Sequence, residues 1–483
     1  MTDRGSGSSG SARAAPAAAA ADSMMAILDR QTRLKGNQYR IILAAILGDM
    51  MEFFDYFVIA FVFIVIVGPW KLTYGQAAMV FLSSGVGAIF GAFVWGHIAD
   101  RIGRRSVFIA TVLNFSIATG ILALTPHHNW QFLVVFRFIA GFGVGGLYSV
   151  DLPLVQEFVP TSKRGMIGGL VTVFIPLGIM LGSLLAATLT HWIGWRGLFA
   201  VGMIPALLTL LIRVWVPESP RWLARQGRTE EARRSLAWAL EVAPESIPLA
   251  AIAAPAVEKA RFSELFLYPR SLLVSWLGNL GAQTSVYGLT LWAPSLLVLL
   301  LKIPPPKAFW LMFFIASGGL VGRVAFSFLS DAIGRRASGG LLGVGAALGL
   351  VLAAVFRDVM IGTTSLFWLL LIFTDFFADG GFAIVGPYAA EVWPARLRTT
   401  GMGSAYGFGG IGKIIGPLGL ALIAGVSNIV TPQATVSAIL PAFIYLAGWS
   451  LLAGFAYAVL GFEVKGRSIE AIEEQLTARR AVT

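Results

Sequence analysis

Long apolar stretches alternate with short polar ones along most of the chain. Each apolar stretch holds about 20 residues, which is the length that a helix needs to cross a membrane. The stretches form two groups of six around a polar segment at 217–270, and they lie at 39–67, 75–96, 106–125, 131–155, 166–190, 196–216, 271–300, 308–329, 338–356, 364–390, 400–426 and 436–461. Because helices satisfy their own backbone hydrogen bonds in lipid, the pattern predicts an all-α polytopic membrane protein of twelve transmembrane helices.

The same pattern divides the chain into five parts. Residues 1–38 are predicted to be a disordered tail and 39–216 a six-helix bundle. A linker with short helices follows at 217–270, then a second bundle at 271–461 and a tail at 462–483. We therefore expect two six-helix halves with short cytoplasmic extensions.

The composition supports a membrane protein and excludes several classes of site. Hydrophobic residues make up 57% of the 483 residues and charged residues 13%, about half the charge of soluble domains. The chain has no cysteine and four histidines, so disulfides and thiolate metal sites are excluded and a zinc site has few ligands. We expect no metal and no cofactor.

Basic residues predict the orientation of the spans. An even number of spans puts both termini on one side, and most of the 36 Lys and Arg residues lie on that side. The other side carries Lys71, Arg196, Lys302, Lys307 and Arg357. By the positive-inside rule, the termini and the linker are predicted to be cytoplasmic. Topology thus explains the net charge of +11 without a nucleic-acid partner.

Two motifs recur in both groups of spans and indicate a duplicated scaffold. One motif follows the second and eighth spans, and the other ends the fourth and tenth. Topology signalling alone would explain their arginines but not the repeated acids and glycines, so we expect a cytoplasmic latch between helices. Its predicted residues are Gly96, Asp100, Arg101, Arg104, Arg105, Glu157, Arg164, Arg323, Asp331, Arg335, Arg336, Glu391 and Arg398.

The paired motifs resemble those of the major facilitator superfamily over residues 35–475. In the second copy Ser327 stands where the family has glycine. The resemblance implies the twelve-helix fold of that family, with two pseudo-symmetric halves that alternate between inward and outward access.

Other motifs point to branches of the family. The first span, from Gly48 to Phe57, is similar to that of metabolite:proton symporters, and Tyr287–Pro294 looks like bacterial niacin and aromatic-acid permeases. The segments Pro217–Leu223 and Glu463–Ser468 look like cytoplasmic motifs of sugar porters. However, the paired glutamines of sugar porters are absent at the matching positions of the seventh span, where Gly281 and Ala282 stand.

The candidate coupling groups are found among the charged residues inside the apolar stretches. The acids are Asp49, Glu52, Asp55, Asp151, Asp375 and Asp379, and the bases are Arg137, Arg323 and Lys413. An unpaired charge there costs at least about 2.5 kcal/mol. Glu52 and Asp55 lie about 60° apart around the helix and share a face. We predict that they handle the proton together with Asp49. The resemblance implies that Arg137 switches partner during coupling.

The predicted substrate site lies between the halves, near the middle of the membrane. Tyr287 is the leading candidate because it offers both a ring and a hydroxyl. Whether Asp375 and Asp379 bind substrate or only pair with a base stays open, and Asp151 is expected to act as a gate partner. The other candidates are Tyr56, Gln283, Asn279, Trp292 and Tyr148.

The sequence thus predicts a secondary transporter rather than an enzyme. It is expected to import a small organic acid together with protons across a bacterial inner membrane, and to act as a monomer. A sugar or polyol porter and an organic-cation or drug transporter are the alternatives. A receptor without transport is disfavoured because the sequence shows no added soluble domain.

Overall fold

The computed structural model describes residues 24–252, 261–394 and 396–465, and within them eleven helical stretches are long and apolar enough to cross a membrane. In the first half the spanning helices are Gly36–Trp70, Tyr74–Ile102, Arg104–Leu122, Trp130–Glu157, Arg164–Val173, Pro176–Val201 and Leu208–Trp215. In the second half they are Pro269–Leu301, Pro305–Ile333, Arg335–Val355, Leu366–Ala378, Phe382–Glu391, Arg398–Gly410, Gly412–Ala424 and Pro432–Phe455.

The sixth span is assembled from short pieces instead of one long helix. Helix Pro176–Val201 turns at Gly194, in the predicted gap before the sixth span, with φ 63° and ψ −178°. The chain then continues through a 3-10 turn at Ile204–Leu207 to Leu208–Trp215. These pieces pack against the third and first spans. The eleven stretches correspond to the twelve predicted spans because the fifth span and the start of the sixth form one stretch.

The linker folds into a small cluster together with residues that precede the first span. Its helices and 3-10 turns are Pro220–Arg225, Thr229–Leu240, Pro244–Ser246, Leu249–Ile252 and Phe262–Leu267. A further short helix, Met24–Asp29, lies within the segment that was expected to be a disordered tail. It is ordered because Met24 and Leu28 pack on Trp222 and Leu236 of the linker.

The two ends of the bundle differ in what joins the halves. One end, the terminal face, holds the start of the first span, the linker and Glu463. At the other end, the opposite face, three main-chain hydrogen bonds cross between the halves. Tyr74 and Gly75 donate to the carbonyls of Asn428 and Val426 (both 2.9 Å), and Val430 donates to Leu72 (3.0 Å). We call these bonds the seam; they hold the opposite face closed.

The opposite face also carries the two short strands in the described residues, Met360–Ile361 and Thr364–Ser365. They pair antiparallel, with Met360 opposite Ser365. This hairpin connects the ninth and tenth spans and lies outside the helical bundle.

Candidate functional site

A carboxylate holds the start of the third span at the terminal face. Gly103, with φ 101°, ends the second span and lets the chain turn directly into the next helix. The side chain of Glu218 accepts hydrogen bonds from the main-chain N–H groups of Arg104 (2.9 Å) and Arg105 (3.1 Å). The Arg104 side chain donates to Glu157 at 3.1 Å. We call this arrangement the first latch.

The second half repeats this arrangement with different residues. Gly334 has φ 92°, and Glu463 accepts from the N–H groups of Arg335 (3.0 Å) and Arg336 (3.3 Å). The Arg335 side chain reaches Glu391 at 3.4 Å and Asp331 at 2.8 Å. Burial raises the pKa of Glu463, but the hydrogen bonds that it accepts from main-chain N–H groups outweigh burial, and the net pKa is lowered. We call this arrangement the second latch.

The structure brings together some of the predicted latch residues and leaves others apart. Asp100 is exposed, and only its main-chain carbonyl takes part, as acceptor from Trp222. Arg164 donates to the carbonyl of Gln156 at 2.8 Å. Gly96 and Arg101 belong to helix Tyr74–Ile102, and Arg398 begins helix Arg398–Gly410. These three predicted latch residues are not part of the first or the second latch.

A buried acid and a buried base face each other between the first and fourth spans. Asp55 and Arg137 are both fully buried, and Nη1 of Arg137 lies 3.7 Å from Oδ2 of Asp55. Arg137 instead donates to the main-chain carbonyls of Asp55 (2.9 Å) and Tyr56 (2.7 Å) and to the Ser84 hydroxyl (3.1 Å). Besides Arg137, the side chain of Thr119 interacts with the Asp55 carboxyl group. The two side chains of Asp55 and Arg137 are thus in contact, but Arg137 makes its short hydrogen bonds to other groups.

A second acid of the first span meets another acid. The carboxyl groups of Asp49 and Asp151 lie close enough to interact, and both residues are buried. Arg323 and Tyr406 lie close enough to interact with this pair. Asp151 therefore contacts a predicted coupling residue inside the membrane, although it was expected to act as a gate partner.

The buried charges of the second half form a tight ion pair. Arg323 donates twice to Asp379, with both distances at 2.8 Å, and also contacts the carbonyl of Thr172 in the first half. Arg323 thus lies within the membrane and not in the second latch. Asp375 is one turn away and lines a small cavity that is otherwise formed by apolar residues and Thr290.

A lysine lies among aromatic rings where the halves meet. Nζ of Lys413 is 4.8 Å from the ring centre of Tyr287 and 5.5 Å from that of Tyr56. The two tyrosine rings are 5.1 Å apart, and Phe57 stacks on Tyr287 at 5.6 Å. Lys413 also interacts with the charge of Glu52. We call these five residues the central cluster; they come from the first, seventh and eleventh spans.

The other predicted substrate ligands lie at two levels. Asn279 and Gln283 precede Tyr287 at four-residue spacing, and both pack against Gly409 of the eleventh span. Among the described residues, Oδ1 of Asn279 and Nε2 of Gln283 are buried without a hydrogen-bond partner. Trp292 lies nearer the seam, where it donates to the carbonyl of Pro417 at 3.3 Å. The side chain of Tyr148 lies outside the described part of the structure.

Comparison with known proteins agrees with this geometry. Residues 41–476 match the family described as sugar (and other) transporter. The chain belongs to this family. It is therefore a multi-pass membrane transporter of the major facilitator superfamily and not an enzyme. The xylose transporter XylE from E. coli, in a partially occluded inward-open conformation, shares the fold with a TM-score of 0.70 at 19% identity, covering 90% of this chain and 100% of that one.

Bacterial metabolite transporters are among the relatives of this transporter. The niacin transporter NiaP of Acinetobacter baylyi is 30% identical over 385 residues, 79% of this chain and 86% of the relative. The 4-hydroxybenzoate transporter PcaK of Pseudomonas putida is 26% identical, covering 82% and 88%. The cis,cis-muconate transport protein of Acinetobacter baylyi is also 26% identical, covering 83% and 91%. The chain is thus similar to transporters over most of their length.

Sequence reasoning did not assign Lys413 or Phe57 to the substrate site of this transporter. The sequence identified Lys413 only as a base within an apolar stretch, and in the structure it lies beside the first and seventh spans. A base within an apolar stretch is itself a signal for a functional site. Phe57 carries no such signal, because most phenylalanines in a membrane protein pack against lipid or other helices.

Proposed function

We propose that this transporter imports a small organic acid, aromatic or monocarboxylate, in symport with protons. We also propose that it resides in a bacterial inner membrane with the terminal face toward the cytoplasm. The names of the relatives support the substrate class, since they include transporters of niacin, 4-hydroxybenzoate and cis,cis-muconate. The basic residues of the terminal face support the orientation.

The contact between Asp55 and Arg137 carries the proposal for proton coupling. A charged pair that shares direct hydrogen bonds has N–O distances near 2.7–2.9 Å, whereas these groups are 3.7 Å apart. Arg137 is satisfied by carbonyl groups of the first span and by Ser84. The base can therefore stay in place whether or not the acid carries a proton. Protonation of Asp55 then changes the attraction between the first and fourth spans without unfolding either.

The difference between the two faces supports a transport cycle in which the site opens to one side at a time. With the seam formed, the opposite face is closed, which suits delivery toward the terminal face. When the seam opens, Asp55 and the central cluster would become accessible from the other side. Proton and substrate would enter together, and the halves would rock about the cluster.

Transport by purified protein in proteoliposomes tests this proposal. We expect uptake of 4-hydroxybenzoate or nicotinate to exceed equilibrium when the outside is more acidic. The Asp55→Asn variant should lose accumulation but keep counterflow, because exchange needs no net proton movement. Asp358→Asn is the matched control, since Asp358 is exposed on the hairpin connection. Accumulation that survives in Asp55→Asn would show that Asp55 is not the coupling site.

Two other substrate classes each have an observation in their favour. The likeness to XylE favours a sugar, although it supports the fold alone. The cavity lined by Asp375 favours a small organic cation. Counterflow with 4-hydroxybenzoate, xylose and choline, each in a separate assay, distinguishes the three classes. Counterflow with xylose or choline but not with either acid would replace the proposed substrate.

A further inference from the structure

We propose that Lys413 binds the carboxylate of the transported acid, and that Glu52 balances the charge of Lys413 while no substrate is bound. This inference rests on the proposed function, because it takes the substrate to be an organic anion. It adds a residue that binds the substrate charge and a reason why substrate and proton move together.

The position of Lys413 is unusual for a lysine. Its side chain is 8% exposed, in the middle of the eleventh span. Its backbone is fixed by the second span, where an added Cβ on Gly85 would come within 2.9 Å of the Cβ of Lys413. A buried ammonium group is costly unless an anion lies nearby. Within the central cluster Glu52 supplies that anion.

The rings around Lys413 suit an aromatic acid. Tyr287, Tyr56 and Phe57 form a surface in which ring centres lie 5.1–5.6 Å apart. These are distances at which aromatic rings attract one another in tilted or offset arrangements. A benzoate or pyridine carboxylate could place its charge at Lys413 and its ring against the tyrosines. The Tyr56 hydroxyl, which is buried without a hydrogen-bond partner in the described residues, could bind a ring substituent.

The balance of charge links the substrate to a proton. With Glu52 ionised, Lys413 and Glu52 together are neutral, and a bound carboxylate would leave one uncompensated negative charge in the membrane. If Glu52 takes one proton from the aqueous phase, Lys413 and the substrate carboxylate are neutral together. The site therefore favours one proton for each carboxylate. When the proton leaves Glu52 on the terminal face, Glu52 competes for Lys413 and promotes release of the substrate.

Other charged groups face this site and bear on its pH dependence. Asp49 lies one turn away on the same helix and interacts with Glu52. Arg137 lies behind Tyr56, with its guanidinium carbon 5.7 Å from the ring centre. Tyr287 faces Lys413 from the seventh span. Of these groups, Glu52 is the acid whose charge acts on Lys413, so its substitution should alter the pH dependence of binding most.

Binding of acids and their amides to the full-length protein in nanodiscs tests the inference. The probes are 4-hydroxybenzoate and nicotinate, compared with the uncharged 4-hydroxybenzamide and nicotinamide. Lys413→Gln should weaken acid binding at least about tenfold, which corresponds to 1.4 kcal/mol, and change amide binding about twofold or less. Lys413→Arg should restore part of the acid affinity. Lys302→Gln is the control, since Lys302 is exposed at the end of the seventh span.

Glu52→Gln provides a second test, in which Lys413 itself is left unchanged. In the wild type, acid binding should weaken as the pH rises, because ionised Glu52 competes for Lys413. In Glu52→Gln, the affinity should stay high and become nearly independent of pH. Acid binding that is unchanged in Lys413→Gln, or a pH profile that is unchanged in Glu52→Gln, would overturn this inference alone. If the wild type binds neither acid, the proposed substrate class fails and this inference fails with it.

Discussion

The two halves of the molecule are alike at the terminal face and unlike in the middle of the membrane. At the face, Glu218 and Glu463 each hold the first N–H groups of the helix that follows a glycine turn. In the membrane, the first half has the loose pair of Asp55 and Arg137, whereas the second half has a base held by two hydrogen bonds to Asp379. The duplicated framework is therefore preserved where it sets the helix positions and has diverged where charge is buried.

This difference suggests that the two halves have different roles in transport. Arg137 connects the fourth span to the first, and it donates to main-chain carbonyls of the first span while its side chain stays 3.7 Å from the Asp55 carboxylate. The ion pair of the second half connects the eighth span to the tenth and satisfies both partners. We infer that the first half carries the groups that change protonation, while the second half supplies a more rigid partner.

The largest expected effect concerns stability after removal of Arg323. Arg323→Ala leaves Asp379 as an uncompensated buried charge, so it should destabilise the protein by about 3–5 kcal/mol. Asp55→Asn should cost less than Arg323→Ala, because asparagine keeps the size of the aspartate and Arg137 keeps its hydrogen bonds to the main-chain carbonyls of the first span. Thermal unfolding in detergent measures both. The double variant Arg323→Ala/Asp379→Ala should recover part of the loss. Equal destabilisation by the two single variants would remove the contrast between the halves.

A smaller effect is expected at the two glycine turns. Gly103 and Gly334 have φ values of 101° and 92°, and a Cβ at either position would overlap the carboxylate of the glutamate in its latch. Each change to alanine should cost about 1–3 kcal/mol and slow counterflow to a similar extent in the two halves. Gly403→Ala is the control, because a Cβ there meets nothing within 4 Å. If only one turn is sensitive, the two latches differ in function despite their common geometry.

The smallest effect is expected at Glu463, whose pKa is lowered in the folded protein. Its stabilising contribution is fully present above the unfolded pKa, near 4.3, and is lost as the pH falls through the lower folded value. Glu463→Gln should therefore cost about 1 kcal/mol or less at neutral pH. The difference between variant and wild type should shrink in strong acid. Unfolding midpoints measured across this pH range check the sign, and a difference that grows in acid would contradict it.

Much of the fold could be predicted from the sequence, but only part of the site. Apolar stretches and repeated motifs predicted the two sets of six spans because lipid imposes length and composition on each helix. The sixth span illustrates the limit: the turn at Gly194 falls in the predicted gap before it, whereas its own break at Ile204–Leu207 was not predicted. Partners of buried charges depend on how helices rotate against one another. The sequence therefore could not predict that Asp49 lies beside Asp151 or that Lys413 lies beside Tyr287.

The seam has a consequence for how the transporter could be observed at work. Because its three bonds join main-chain groups, most side-chain replacements in those loops leave the donors and acceptors unchanged. The amides of Tyr74, Gly75 and Val430 are shielded from water only while the opposite face is shut. Their rates of deuterium uptake thus report the fraction of time for which the seam is formed, without an engineered probe.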